Sequence, residues 1–345
     1  MPRERGNPCN LVFAFIILYR KSIAMPLLPD DYRVKNPLFR NPHVATIVPA
    51  RFRRVKMTPG FTRVRWTTPD QDFIECDLSP HRSDRVVFLV HGFEGDSRRS
   101  YMQGMAVCMI SHGWDVVMIN LRGCSGEPNR LARAYHAGDT GDLEEALSRV
   151  RQLRNYSAVG MIGFSLGGNI VLNYLAGDAV SHSGTIGGVA VSVPIDLRGT
   201  AFRIMHRDNW LYHRNFLVRL KRKMKKKRAK YPDLLPYKDI FSAKNIDEID
   251  ERYTAPFHGF ADATRYREKA SALFRLKYLK RPALIINARD DTFLTESCYP
   301  YHLAEQSEKL YLLTPAFGGH CGFRQPGKTY YHEEKAAWFL SFLIG

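Results

Sequence analysis

Apolar positions along the chain keep two rhythms. From Phe61 the run FTRVRW alternates apolar and polar residues, and so does DFIECDL after the loop Thr-Thr-Pro-Asp-Gln-Asp, which predicts a hairpin of two strands. Next, Arg85 to Val90, Trp114 to Asn120, Ala158 to Phe164 and Ile186 to Pro194 are short, nearly continuous apolar runs of the kind that both faces of a parallel sheet bury. Between them, Arg98 to Ser111, Asp139 to Leu153 and the stretch after Gly167-Gly168 carry helical spacing. The alternation stops at Leu197 and resumes at Arg281 with PALIINARDDTF, read as a strand ending in Asp290-Asp291, and with LYLLTP from Leu310. Strands alternating with helices predict an α/β fold with a mostly parallel central sheet and helices on both faces. Residues 25–345 read as one domain, with an insertion over about 197–279.

Composition adds a bias of charge. The 345 residues are 45% apolar, ample for a core, and carry a formal charge of +17. Six cysteines without a C-x-x-C pair or a His/Cys cluster point to a reduced, cytoplasmic setting and to no metal site. Much of the basic charge falls in the insertion, where nine of the twelve residues from Arg219 to Lys230 are Lys or Arg, directly after the aromatic stretch Phe202 to Phe216. Rings followed by cations suit a helical cap that rests at an anionic membrane surface, and a solvated helix end is the competing reading of the basic run. No stacking platform or reader motif accompanies the charge, which argues against nucleic acid as a partner. Residues 1–24 read as an extension outside the domain, and their apolar run Leu11 to Tyr19 is too short to span a bilayer.

The candidate chemistry sits at predicted strand ends. Gly163-Phe164-Ser165-Leu166-Gly167 fits G-x-S-x-G at a strand-to-helix bend, the turn that lifts a serine hydroxyl clear of a sheet. The backbone N–H of Leu166 opens the following helix. That of Phe93, in the loop His91-Gly92-Phe93-Glu94-Gly95 after an earlier strand, is a second donor for an oxyanion. His91 itself reads as a side chain that braces its loop. Downstream come Asp290-Asp291 and then His320, giving the order serine, acid, histidine. Either aspartate fits the strand end. Arg122 and His136, in the loop NLRGCSGEPN and just beyond it, read as braces or as ligands of an acidic substrate group. Cys124 has no base beside it in sequence to activate it.

These motifs resemble the YheT-like branch of the α/β-hydrolases, which includes bacterial YheT proteins and eukaryotic membrane-associated esterases and phospholipases. The likeness runs from Asn36-Pro37-Leu38-Phe39 and Asn41-Pro42-His43 through HGFEG, NLRGCSGEPN, YHAGDTGDL, GFSLGGN and FHGF to GGHCGF at Gly318 to Phe323. It implies an α/β-hydrolase fold with a helical cap and a triad of Ser165, His320 and one of the paired aspartates. The branch reads Asp-Asp-Pro-Phe where this chain has Asp290-Asp291-Thr292-Phe293, so Asp291 is the counterpart of the acid and Asp290 the alternative. The expectation is a serine esterase for short- to medium-chain acyl esters or lipids, with no cofactor. The competing expectations are an alcohol acyltransferase with the same triad and a non-catalytic, membrane-apposed binding protein.

Overall fold

In the computed structural model, residues 26–57, 60–232 and 240–345 are described. The extension read at residues 1–24 lies outside them. Nine strands form one sheet: β1 (Leu27–Leu28), β2 (Thr62–Thr67), β3 (Phe73–Leu78), β4 (Arg85–Val90), β5 (Asp115–Asn120), β6 (Ala158–Phe164), β7 (Thr185–Val191), β8 (Ala283–Ile286) and β9 (Leu310–Leu313). Their order across the sheet is β1-β9-β8-β7-β6-β4-β5-β3-β2. Only β3 runs against its neighbours, so the sheet is mostly parallel with the predicted hairpin at one edge.

The continuous apolar strands are explained by burial on both faces. Within β4, Val86, Phe88 and Val90 point into one core, while Val87 and Leu89 point into the other. The first core is closed by α3 (Gly141–Leu153) and α4 (Leu166–Leu175), through Leu143, Leu147, Ile170 and Tyr174. The second is closed by α2 (Ser100–Ser111) and α8 (Tyr331–Phe342), through Met102, Met105, Phe339 and Leu340. Ahead of β2, α1 (Pro42–Phe52) is tied to α8 by an Arg53–Glu333 pair at 2.6 Å.

Two boundaries differ from the sequence reading. The run from Arg281 leaves the ladder at Ile286, because the Asn287 side chain bonds instead to both backbone groups of Val193, beyond the end of β7. Asp290 and Asp291 therefore sit in a turn past β8. Within the insertion, the polar stretch around Asp262 to Leu276 reads from its sequence as a helix, and that helix ends at Ala270 as α7 (Ala263–Ala270). Asn169 intercepts the chain there, donating to the carbonyl of Ala270 at 2.7 Å and accepting from the N–H of Ala272 at 2.9 Å. The short β1 was not expected at all. Two residues hold it to β9, which is too little apolar pattern to read.

Between β7 and β8 the chain leaves the sheet, and its described residues there form helices and turns. These begin with α5 (Leu197–Met205) and α6 (Trp210–Lys230). Leu220 and Met224 of α6 pack with Ile240, Ile249 and Tyr253 in a small core of their own, on which Phe93 rests. The basic run on α6 is not one solvated face. Lys225 and Lys226 are exposed, but Lys223 turns inward to Glu94 at 2.9 Å, over the ring of Tyr135. Lys227 is buried, donating to Asn129 and to the carbonyls of Ala132 and Arg133 at 2.9–3.1 Å. Burial pulls its pKa down to about 7. This corrects the reading of the segment as wholly surface charge: two of its lysines are structural.

Removing an inward lysine leaves its acceptors unsatisfied, whereas an exposed one leaves only water behind. Lys223→Gln should lower unfolding stability by about 1–3 kcal/mol, and Lys227→Gln should lower it by less, because removing an amine whose pKa is depressed offsets part of the lost hydrogen bonding. Lys225→Gln and Lys226→Gln should stay within about 0.5 kcal/mol of the parent. Urea midpoints of the four variants would check this, and equal midpoints would contradict the inward packing.

Candidate active site

Ser165 stands between β6 and α4 with φ 51° and ψ −122°, a conformation that is strained for a residue with a side chain. The crossing of strand and helix backbones explains both flanking glycines. A Cβ on Gly163 would fall on the backbone of Gly167, and one on Gly167 would fall on the carbonyls of Val90 and His91. The Ser165 N–H donates to the carbonyl of Val191 at 2.8 Å, which ties the bend to β7. Its hydroxyl is thereby held over the C-terminal edge of the sheet.

His320 reaches this hydroxyl from the loop after β9, with Nε2 2.9 Å from Ser165 Oγ. On its other side Nδ1 is 2.8 Å from Asp291 Oδ2. With a carboxylate at Nδ1, that nitrogen carries the proton and Nε2 is left to accept from the serine hydroxyl. Asp291 is buried, and its second oxygen accepts from the N–H of Phe293 at 3.0 Å. The Phe293 ring lies 4.4 Å from the imidazole, centroid to centroid. The His320 N–H donates to Thr46 Oγ1 at 2.9 Å, so α1 helps to hold the histidine loop.

The paired aspartates separate cleanly. Asp290 does not meet the imidazole; its Oδ1 accepts from the N–H of Gly319 at 2.8 Å, and its Oδ2 finds no partner among the described residues. Burial raises its pKa to about 6. The structure thus brings Ser165, His320 and Asp291 together and leaves Asp290 bracing the backbone of the loop.

Phe93 and Leu166 line the same cavity as Ser165 and His320. Their N–H groups bond to no described group. His91 braces this loop as read: Nδ1 donates to the carbonyl of Gly92 at 2.7 Å and Nε2 accepts from the N–H of Leu121 at 3.1 Å. Burial takes its pKa down to about 4, so it stays neutral.

The cavity, about 100 Å³, is walled by Leu197, Ala201, Ile204, Phe216 and Phe293, mostly from the inserted helices. Asp250 and Arg267, paired at 2.6 Å, add a polar corner that sequence reasoning missed. Nothing short of the fold signalled it, because the two residues lie on separate helical elements. Arg122 is not a substrate ligand in this arrangement: it is buried against Asp142 at 2.7 Å and also meets Asp70 and Asp72. His136 packs edge-on against His258 and Phe260, and burial lowers its pKa to about 4. Cys124 is buried with its pKa raised to about 12, so it stays a thiol. Among the described residues no cluster of His, Cys, Asp or Glu has the makings of a metal site, and no helix is long and apolar enough to cross a membrane.

A mostly parallel sheet with a serine on the bend after β6 and a histidine after the last strand defines an α/β-hydrolase. Comparison agrees, since the family model described as alpha/beta hydrolase fold matches residues 85–325. "Putative esterase YheT" of Escherichia coli K12 is 35% identical over 83% of this chain and 85% of its own length. The chain belongs to the α/β-hydrolase family and, within it, to the YheT-like branch. Phospholipase ABHD3 of Mus musculus is 31% identical over 69% of this chain and 58% of its own length. Medium-chain fatty acid ethyl ester synthase/esterase 2 of Saccharomyces cerevisiae is 27% identical, again over 69% of this chain and 58% of its own. Among solved structures, the Pyrococcus furiosus esterase Pf2001 superposes with a TM-score of 0.55 at 19% identity, covering 85% of this chain and 95% of that one, a likeness of fold.

The two aspartates should respond oppositely to substitution. Asp291→Asn puts an amide where the imidazole needs a carboxylate, and should cut ester turnover by about 10⁴-fold. Asp290→Asn should keep most turnover. An acid with a native pKa of about 6, above its unfolded value of 3.8, binds more protons when folded. It therefore costs stability as pH rises from about 4 to 6, and the full cost is present above 6. Asp290→Asn should accordingly raise stability by about 1–3 kcal/mol at pH 7–8 and add nothing near pH 3.5. Turnover and urea midpoints at the two pH values would check both halves; a larger turnover loss for Asp290→Asn would reverse the assignment.

Proposed function

We propose that this protein hydrolyses carboxylic esters through an acyl-enzyme on Ser165. The observation that carries the reading is the unbroken line from Asp291 through His320 to Ser165, at 2.8 and 2.9 Å, ending in a largely apolar cavity. His320 takes the hydroxyl proton at Nε2 as Ser165 Oγ bonds to the ester carbonyl. Asp291 keeps the proton on Nδ1 in place and stabilises the imidazolium. The N–H groups of Phe93 and Leu166 receive the oxyanion. When the tetrahedral intermediate collapses, the bond to the alcohol oxygen breaks and the imidazolium returns the proton to it. Water then repeats the sequence on the acyl-enzyme and releases the acid.

On the acyl side, the walls of Leu197, Ile204 and Phe216 suit a short to medium hydrocarbon chain, and residues 197–279 act as the cap that holds it. Exposed Phe202, Trp210 and Leu211, with Lys225 and Lys226 farther along α6, support contact between this cap and an anionic lipid surface. A second reading, acyl transfer to an alcohol, draws support from the yeast relative, whose name joins ester synthesis to esterase activity. It uses the same acyl-enzyme and differs in what enters second. Partition of product between acid and new ester in added ethanol separates the two.

Ser165→Ala should abolish labelling by a fluorophosphonate and lower turnover of p-nitrophenyl butyrate by several orders of magnitude. Its unfolding midpoint should stay close to the parent's, since one hydroxyl on a bend leaves little cavity. Labelling that persists on another serine would overturn the assignment.

A further inference from the structure

A second concavity, of about 500 Å³, opens beside the site between the loop that carries Phe93 and helix α6. Arg98, Arg99, Arg219, Arg222, Lys223 and Lys226 line it, six cations against the two carboxylates Glu94 and Asp96. Both carboxylates are already committed. Glu94 accepts from Lys223 at 2.9 Å and from the Tyr135 hydroxyl at 2.9 Å. Asp96 accepts from the N–H of Arg98 at 2.9 Å and from its guanidinium at 3.3 Å. Among the described residues, the Arg99 guanidinium donates only to the carbonyl of Glu94, and that of Arg219 only to the Asn215 side chain. Arg222 and Lys226 make no ion pair with a described residue. Burial, with the charge of Arg99 next, holds the Arg219 guanidinium below its usual pKa. Cations thus outnumber their counter-charges here, an arrangement that an anion relieves.

The cleft is joined to the serine by shared walls. Phe93 and Leu166 line both the Ser165 cavity and a small neighbouring one, and Glu94 and Lys223 line both that small cavity and the basic cleft. A molecule whose carbonyl meets Ser165 and whose acyl chain lies under the cap has its alcohol side facing this route. Four uncompensated cations, three of them guanidinium forks, match a phosphate with its two charges and several acceptor oxygens better than a single carboxylate.

We propose that this cleft binds a phosphate group carried on the alcohol side of the ester, so that phosphorylated esters are preferred to neutral ones; the preference, though not the anion site itself, rests on the hydrolase reading above. The phosphate group belongs either to a soluble ester or to a lipid headgroup.

Binding is read first, by calorimetry on Ser165→Ala protein, so that it does not depend on turnover. Glycerol 3-phosphate should bind saturably at one site, and Arg222→Gln with Lys226→Gln should weaken it by tenfold or more. Lys309→Gln, on the exposed edge before β9, should leave it unchanged. Turnover is read second, on otherwise unaltered enzyme, as the ratio of kcat/KM for 1-butanoylglycerol 3-phosphate to that for 1-butanoylglycerol. That ratio should exceed ten and fall towards one in the double variant. In a third arm, vesicles containing phosphatidylglycerol should be displaced by glycerol 3-phosphate if the headgroup enters the cleft. Absence of saturable glycerol 3-phosphate binding overturns the site, and vesicle binding in that case reports surface charge alone. Binding without turnover of either ester overturns the hydrolase reading and leaves the site standing. Turnover with no preference for the phosphorylated ester overturns the proposed role of the site in selecting substrate.

Discussion

The close crossing of β6, α4 and the end of β4 governs the rest of this molecule. At Gly163 and Gly167 the backbones pass with no room for a side chain, and Ser165 between them is forced to φ 51°. A left-handed, non-glycine residue costs of order 1–3 kcal/mol and persists only where surrounding structure over-determines it. Here that structure is the pair of cores on either face of the sheet, together with the Ser165 N–H bond to Val191. The strain places a hydroxyl where no ordinary turn would hold one. The same crossing puts the start of α4 beside the loop after β4, so Leu166 and Phe93 line one cavity.

Around that fixed point, the remaining site residues come from strand ends, and this is why so much of the site was legible in the sequence. The order of apolar runs gave the sheet, and the short motifs at their ends gave Ser165, His320 and the loop of Phe93. What period and motif could not decide was which of two adjacent aspartates turns towards the imidazole. Neighbouring residues in a turn point in different directions, and the choice depends on the path from Ile286 to Phe293. That path is set by Asn287 bonding across to Val193, a contact between segments 94 residues apart. The end of α7 was missed for a similar reason, since Asn169 bonds to the chain from across the interface.

The basic stretch on α6 shows where composition misleads. Nine cations in twelve residues read as one surface, yet a helix turns through every direction within four residues, so a uniform run must face inward somewhere. The structure meets this with acceptors: Glu94 for Lys223, and Asn129 with two carbonyls for Lys227. The acceptors for Lys227 are Asn129, at the end of one loop, and two carbonyls just beyond it, and in that same loop Arg122 is bound to three aspartates. Arg122, one of the residues open to a role in substrate binding, instead belongs to the support on which the inserted helix rests.

This support reaches the chemistry through one residue. Glu94 follows Phe93, and its carboxylate is held from two directions, by Lys223 of the inserted helix and by Tyr135 of the loop before α3. Its N–H is held by the same Tyr135 hydroxyl at 2.9 Å. A half-buried ion pair adds little net stability, because desolvation offsets most of its attraction. Its geometry, however, is strict, and fixing Glu94 at both backbone and side chain fixes the peptide that precedes it. The Phe93 amide, which we assign to the oxyanion, therefore depends for its direction on a lysine from the cap. A displaced α6 would loosen that amide without touching Ser165, His320 or Asp291. Cap position and oxyanion stabilisation are on this account coupled mechanically, through the Glu94–Lys223 contact that also forms the wall between the basic cleft and the small cavity next to the acyl one.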